Sequence, residues 1–432
     1  MRRSLTAVVA ALFVLLLALP VSGARFTDTT TNAGNTFAFG APQPIRVTTY
    51  RVNFTDDYYT LRLNYELAEN YFVLLRGSAD VSGEVDADGE PIIIEPSAAA
   101  DYVRVVGDPF GDPGGFTESN QLELGRFSDD GVWWGQVTVV ESLDRHDTAG
   151  FRLLKAHKAS VGGDRWSVSG SWTEEGQVAL YGGSMGGGMT VNDPDHANGW
   201  ARIWPEGGYI ELDRAASNSP ANFTIYEVEW GSEWTIQHVR VKGNAGGAGV
   251  DTPNEYDTAK LSTAVVRERT FVLAYGTTSD SAPGTGWEGQ IYTLGNGHPI
   301  NGEPNKAGDE AKSVAVSSEY RVKRDVEVYV HTHPRLRVDH RFDPHSSIPA
   351  DTGSGSITVD SPLAGETYGV GTTGTLRFSI LSNSSSGSDV TGSQPIIWSR
   401  HTQPTTVSWA RHDITNAGAS WLQSIDFGEI WR

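Results

Sequence analysis

The sequence predicts an all-β chain of tandem antiparallel β-sandwich repeats behind a signal peptide, and three observations predict it. Helical periodicity is nearly absent after the opening residues, whereas apolar and polar residues alternate throughout, as in Tyr209-Ile210-Glu211-Leu212-Asp213 and Asp325-Val326-Glu327-Val328-Tyr329-Val330. Such alternation marks strands with one buried face. The 49 glycines, 13 tryptophans and 15 tyrosines suit short strands joined by tight turns. The third observation is a pattern of about 100 residues that recurs four times.

At the N-terminus Arg2 and Arg3 precede an apolar run over 7–19 and the small-residue stretch Val21-Ser22-Gly23-Ala24. A charged start, an apolar run too short for a comfortable membrane span and small side chains at the cleavage positions describe a secretory signal peptide, 1–24, cut after Ala24. An uncleaved anchor is the alternative reading of those flanks. Export implies an extracellular or cell-surface location. Residues 25–45 follow as an N-terminal segment, read either as a donor strand or as a polar leader that secretion leaves behind.

Each repeat then opens on an apolar strand ending in a small polar pair, at 72–78, 178–184 and 271–277, with 376–380 as a degenerate fourth copy. A polar insert follows, then strands with matching patterns at 102–105, 200–203, 290–292 and 397–400, at 122–126, 210–214, 314–316 and 407–411, and at 136–141, 223–228, 326–330 and 421–425. The landmarks Phe72, Val178, Phe271 and Leu376 lie 106, 93 and 105 residues apart, the size of one small sandwich domain. The expected domains are 46–158, 159–245, 246–345 and 346–432. A further strand at each seam, at 151–154, 234–241 and 336–340, fits either neighbour, and one large sandwich is the alternative to four small ones.

Composition narrows the partners. With no cysteine, the exported chain is held by core burial without disulfide staples. The formal charge of −20 becomes −22 once Arg2 and Arg3 leave with the signal peptide, a sign that disfavours nucleic acid and anionic lipid. No later stretch approaches 18 apolar residues, so no transmembrane segment is expected in the mature chain.

Several motifs invite a chemical reading. Gly182-Gly183-Ser184-Met185-Gly186 matches the G-x-S-x-G of serine hydrolases, but no helix follows it and the same slot holds Gly77-Ser78 and Gly276-Thr277 in sister repeats, which makes it a repeat loop. His331 and His333 share a strand face, with His340 nearby, a candidate transition-metal set against a solvated strand pair as the plainer reading. Asp86 and Asp88, and Asp193 and Asp195, lie in acidic loops whose hard oxygens suit calcium, against exposed turn acids as the default. Calcium is the sole cofactor the residues suggest. Trp133-Trp134 puts two indoles on opposite strand faces, one of them for interdomain packing or sugar stacking. Asn53, Asn222 and Asn383 begin glycosylation sequons.

The repeated unit resembles a tandem β-sandwich unit common in bacterial and phage surface proteins, and its segment 223–230 is similar to the last strands of the H-type lectin fold. The lectin likeness implies sugar binding by aromatic and polar side chains near strand ends, without assigning residues. After the signal, Phe26-Thr27-Asp28-Thr29, Thr31-Asn32-Ala33-Gly34-Asn35-Thr36-Phe37 and Phe39-Gly40 resemble the mature N-terminus of the TasA/camelysin family of biofilm fibre proteins. The family's next strand has no evident counterpart, since Ala41-Pro42-Gln43-Pro44 intervenes. The resemblance implies self-association: a segment carrying Phe26, Asp28, Asn32, Phe37 and Phe39 lends a strand to the next subunit, and head-to-tail lending builds filaments. The expected function is non-enzymatic, a secreted structural or adhesive surface protein, with carbohydrate binding as the alternative. A hydrolase built on carboxylates that meet only in space has no support in the spacing.

Overall fold

A computed structural model describes residues 45–80, 103–110, 118–126, 132–143, 148–187, 201–214, 221–242, 256–278, 291–295, 310–317, 324–348, 354–360, 377–385, 396–403, 405–411, 418–428 and 430. The chain is all-β: among the described residues two single 3₁₀ turns, Glu175–Gln177 and Arg267–Arg269, accompany twenty-four strands, and no α-helix forms. No helix there is long and apolar enough to cross a membrane. The expected signal peptide, 1–24, and the segment 25–44 lie outside the described residues.

The strands fall into four sets of six. Repeat 1 holds β1 (Ile45–Phe54), β2 (Tyr58–Arg62), β3 (Asn70–Asp80), β4 (Val103–Gly107), β5 (Gln121–Arg126) and β6 (Val132–Ser142). Repeat 2 holds β7 (Phe151–Val161), β8 (Arg165–Ser169), β9 (Val178–Gly187), β10 (Ala201–Glu206), β11 (Tyr209–Arg214) and β12 (Ala221–Trp230). Repeat 3 holds β13 (Thr235–Lys242), β14 (Tyr256–Val266), β15 (Thr270–Thr278), β16 (Ile291–Leu294), β17 (Glu310–Ser317) and β18 (Arg324–Thr332). Repeat 4 holds β19 (Arg337–Ile348), β20 (Ser354–Thr358), β21 (Arg377–Ser385), β22 (Ile396–Gln403), β23 (Thr406–Arg411) and β24 (Gly418–Asp426).

In every repeat the first, sixth and third strands pair in that order, and the second, fifth and fourth make a second, outer sheet. All the pairs are antiparallel. This pairing decides the seams: β7 runs along β12 from Phe151↔Trp230 to Val161↔Ala221, β13 along β18 and β19 along β24. The divisions therefore lie in the connections at 143–150, 231–234 and 333–336, in place of the ends expected at 158, 245 and 345. A first strand finds its partner at the far end of its own repeat, a separation that no local pattern reveals.

The four repeats belong to one compact unit, Pro44–Ile430, and close into a cycle within it. The fourth strand of each outer sheet packs on the third and sixth strands of the next repeat: β4 on β9 and β12, β10 on β15 and β18, β16 on β21 and β24. The last, β22, packs on β3 and β6 of the first repeat. First strands follow the same rule in reverse, β7 lying against β3, β13 against β9, β19 against β15 and β1 against β21. The tandem row expected from the sequence is thus joined end to start.

Closure changes which residues are core. Of the fifth strands, β11 keeps a half-buried pattern, with Ile210 and Leu212 buried and Tyr209 exposed, whereas β5 is buried at every residue but Glu123. Sixth strands are covered on both faces, so the alternation in 325–330 does not mark a solvent face; Glu141, Glu227, Glu327 and Gln423 are all buried. Burying such groups without partners would cost several kcal/mol each, so their partners decide where the strand can sit. Trp133 illustrates the apolar side of the same demand: its indole is buried over Gly77 and Gly135, where any Cβ would overlap the ring.

Candidate functional site

The buried polar groups of the sixth strands are where the repeats hold one another. Glu327 of β18 accepts from Arg202 Nη1 of repeat 2 at 2.7 Å and from His238 Nε2 at 2.7 Å, while Arg202 Nη2 reaches Asp213 at 2.7 Å. The Tyr329 hydroxyl donates to the Ile203 carbonyl at 2.8 Å, and Thr224 Oγ1 of repeat 2 donates to the Val105 carbonyl of repeat 1 at 2.7 Å. Gln423 of repeat 4 takes both the N–H of Val272, at 2.7 Å, and its carbonyl, at 2.9 Å. At the closing junction the Ser399 N–H of repeat 4 donates to Gln136 Oε1 of repeat 1 at 2.9 Å.

An aromatic column runs through the first two junctions. Phe72 of repeat 1 stacks on Tyr181 of repeat 2 with centroids 3.9 Å apart and planes 5° apart, and Phe271 stacks on His331 within repeat 3 at 4.4 Å. Trp230 Nε1 donates to the Tyr181 hydroxyl oxygen at 2.7 Å, leaving that hydroxyl's proton to His331 Nε2 at 2.8 Å. His331 is therefore a neutral acceptor. Burial among rings, away from water, pushes its pKa down to about 3.

The three candidate metal histidines are not gathered. His331 Nε2 is occupied by Tyr181; His333 accepts the Arg335 N–H on Nδ1 at 3.1 Å and faces Glu233 with Nε2 at 3.2 Å. His340 Nε2 donates to the carbonyls of Thr270 at 2.9 Å and Arg267 at 3.1 Å, while Nδ1 accepts Trp421 Nε1 at 3.3 Å. Each lone pair that a metal would need already accepts a hydrogen. All three imidazoles are buried, which corrects the solvated strand pair, and burial lowers His333 and His340 to about 4. Among the described residues no group of three His, Cys, Asp or Glu is placed to hold a metal ion. Asp86, Asp88, Asp193 and Asp195 lie outside the described residues, as do Phe26, Asp28, Asn32, Phe37 and Phe39.

Gly182–Gly186 is strand, not loop: β9 pairs with β12 on both sides of Ser184 through a register shift. The strand-to-helix turn that a nucleophile elbow requires is thus replaced by a bulged ladder. Trp133 is core, and Trp134 is half-buried.

The outer sheet of repeat 2 carries a face that the sequence reading passed over. Its β10–β11 hairpin turns at Gly207 and Gly208, with φ of 59° and 86°, a left-handed pair that glycine adopts without strain. Across this hairpin Trp204 pairs with Glu211 and Glu206 with Tyr209, and on β8 Ser167 pairs with Glu211, so these five side chains share one face. Tyr209 is 50% exposed. Arg202 holds the inner side of Trp204 with its guanidinium 4.4 Å from the ring centroid, and the indole N–H donates to Glu206 Oε2 at 3.0 Å. Ser167 Oγ donates to Glu211 Oε1 at 2.7 Å. The signal was available in the sequence: Trp204 and Tyr209 flank a Gly-Gly turn on alternating strands.

No protein-family model matches the chain, and no curated protein matches it.

Proposed function

We propose that the chain is a secreted or cell-surface structural and adhesive protein, in which a closed β scaffold is joined to further copies by strand donation from residues 25–44. The observation that carries this reading is an uneven distribution of open sheet edges. First and third strands lie against neighbouring repeats, whereas the second strands β2, β8 and β20 pair on one side alone among the described residues; β14 lies against β13, whose Gln237 side chain holds the N–H and carbonyl of Thr263. The outward backbone groups of β2, β8 and β20 are a template for one more strand. The TasA/camelysin-like segment supplies a donor of the right kind, polar with alternating Phe37 and Phe39. A donor from one subunit to the edge of another is heterologous, so it propagates.

Negative-stain microscopy and light scattering on protein starting at Arg25, beside protein lacking 25–40, test the proposal. Filaments or large oligomers that vanish on truncation are the expected result; monodisperse monomers in both, with or without calcium, overturn it. A second reading, carbohydrate recognition, is favoured by one observation: the exposed Tyr209 and the fixed Trp204 on the outer sheet of repeat 2.

A further inference from the structure

The repeats are their own control for what the fold requires. Each outer sheet places a fourth and a fifth strand side by side in matching register, so the residues at one position can be compared across four copies. Where repeat 2 has Tyr209, repeats 1, 3 and 4 have Gln121, Ser313 and Thr406. Where repeat 2 has Trp204 opposite Glu211, repeat 3 has Thr293 opposite Ala315 and repeat 4 has Arg400 opposite Ser408. Repeat 1 has the bulged pair of residues Val106 and Gly107 there. The fold accepts non-aromatic residues at both positions, so neither aromatic ring is needed to build the sheet.

What the rings have instead is preparation for contact. Arg202 is buried and held by Glu327 and Asp213, so it serves as a fixed backing for the indole instead of a mobile cation. The indole N–H is spent on Glu206, which fixes the plane of the ring. Tyr209 is diagonal to Trp204 across the hairpin, a separation of about 7–8 Å for such neighbours. The Trp204 ring, held on its inner side and at its N–H, loses little rotamer freedom on contact, which lowers the cost of binding. Beside them Glu206 and Glu211 present carboxylate oxygens, strong acceptors for hydroxyl donors.

We infer that Tyr209 and Trp204, edged by Glu206, Glu211 and Ser167, form a saccharide-binding face on the outer sheet of repeat 2. The inference rests on the second of the two functional readings and gives it a site. The apolar C–H face of a sugar ring stacks on an aromatic plane, and its equatorial hydroxyls reach the flanking acceptors. The local charge selects among sugars: Glu206, Glu211 and the nearby Asp213 repel sulfated and carboxylated polymers, so the ligand class is neutral polysaccharide.

Affinity electrophoresis of the full chain through native gels containing hydroxyethylcellulose, laminarin, xylan or galactomannan, with alginate as the anionic control, tests it. Retardation by at least one neutral polymer and not by alginate is expected. Tyr209→Thr with Trp204→Thr places in repeat 2 the residues that repeats 4 and 3 already carry there, and it should weaken that retardation at least tenfold with thermal melting unchanged. Tyr58→Ser, which removes the exposed tyrosine of the repeat 1 outer sheet in favour of repeat 4's Ser354, should leave retardation intact. Retardation that survives the double variant overturns the site while leaving carbohydrate recognition standing. No retardation by any polymer overturns both, and filament formation, read separately by microscopy, is unaffected by either outcome.

Discussion

The junction between repeats 2 and 3 and the junction that closes repeat 4 on repeat 1 have the same geometry and different chemistry. At the first, the short connection 231–234 links the partners, and the contact holds a desolvated Arg202–Glu327 pair beside the Trp230–Tyr181–His331 chain. The second joins strands 263 residues apart, and among the described residues its hydrogen bond is a neutral one, from the Ser399 N–H to Gln136. Desolvating an ion pair is recovered only when the geometry is right, and a short covalent link supplies that geometry in advance. A closing contact found across a long loop carries a larger entropy cost, and a neutral amide adds little desolvation to it.

Acid should weaken both junctions, because each holds a buried histidine. The folded pKa values of His331 on β18 and His401 on β22, each pushed down to about 3 by burial, lie below the ordinary 6.5, so the unfolded chain takes up protons first. Stability from these rings is fully present above about pH 6.5 and is lost as pH falls toward 3, on the order of 5 kcal/mol for each ring over the whole window. Denaturant midpoints at pH 7.5, 6 and 5 should fall steeply. Hydrogen exchange at pH 5 should show β18 and β22 losing protection together; loss at one of them alone would separate the junctions by something other than their histidines.

Glu327→Ala, which leaves Arg202 and His238 facing a void, should cost about 3–5 kcal/mol in thermal or denaturant unfolding. Tyr181→Phe removes one hydroxyl but strands both the Trp230 N–H and His331 Nε2, so a loss of about 2–3 kcal/mol is expected by the same measurement. At the closing junction Gln136→Ala strands a single buried N–H and should cost about 1–2 kcal/mol. Equal losses for Glu327→Ala and Gln136→Ala would erase the chemical difference between the junctions. On the outer face, Tyr209→Thr should change stability by less than about 0.5 kcal/mol, the scale of a surface substitution.

The strand repeat was legible because alternation is local: each of the four matched strands within a repeat is a short run whose strand character follows from its own residues. First strands were harder, since β7, β13 and β19 declare their repeat only through partners at its far end. The histidines show the limit from the side of chemistry. His331 and His333 alternate on a strand as metal ligands would, yet one lone pair accepts from Tyr181, 150 residues away, and the other from the adjacent Arg335 backbone. Spacing states which side chains share a face; it does not state what waits opposite.

All-β character, four-fold repetition and the aromatic turn-rich core are determined by the sequence alone, because alternation and turn residues act over a few positions. Closure of the four repeats into a cycle, the burial of Glu327, Gln136 and Gln423, and the isolation of Trp204 and Tyr209 as residues the sheet does not need were decided only in the tertiary structure. Those outcomes depend on which surfaces meet across a hundred residues or more. Desolvation and hydrogen-bond satisfaction are properties of the meeting, not of either strand.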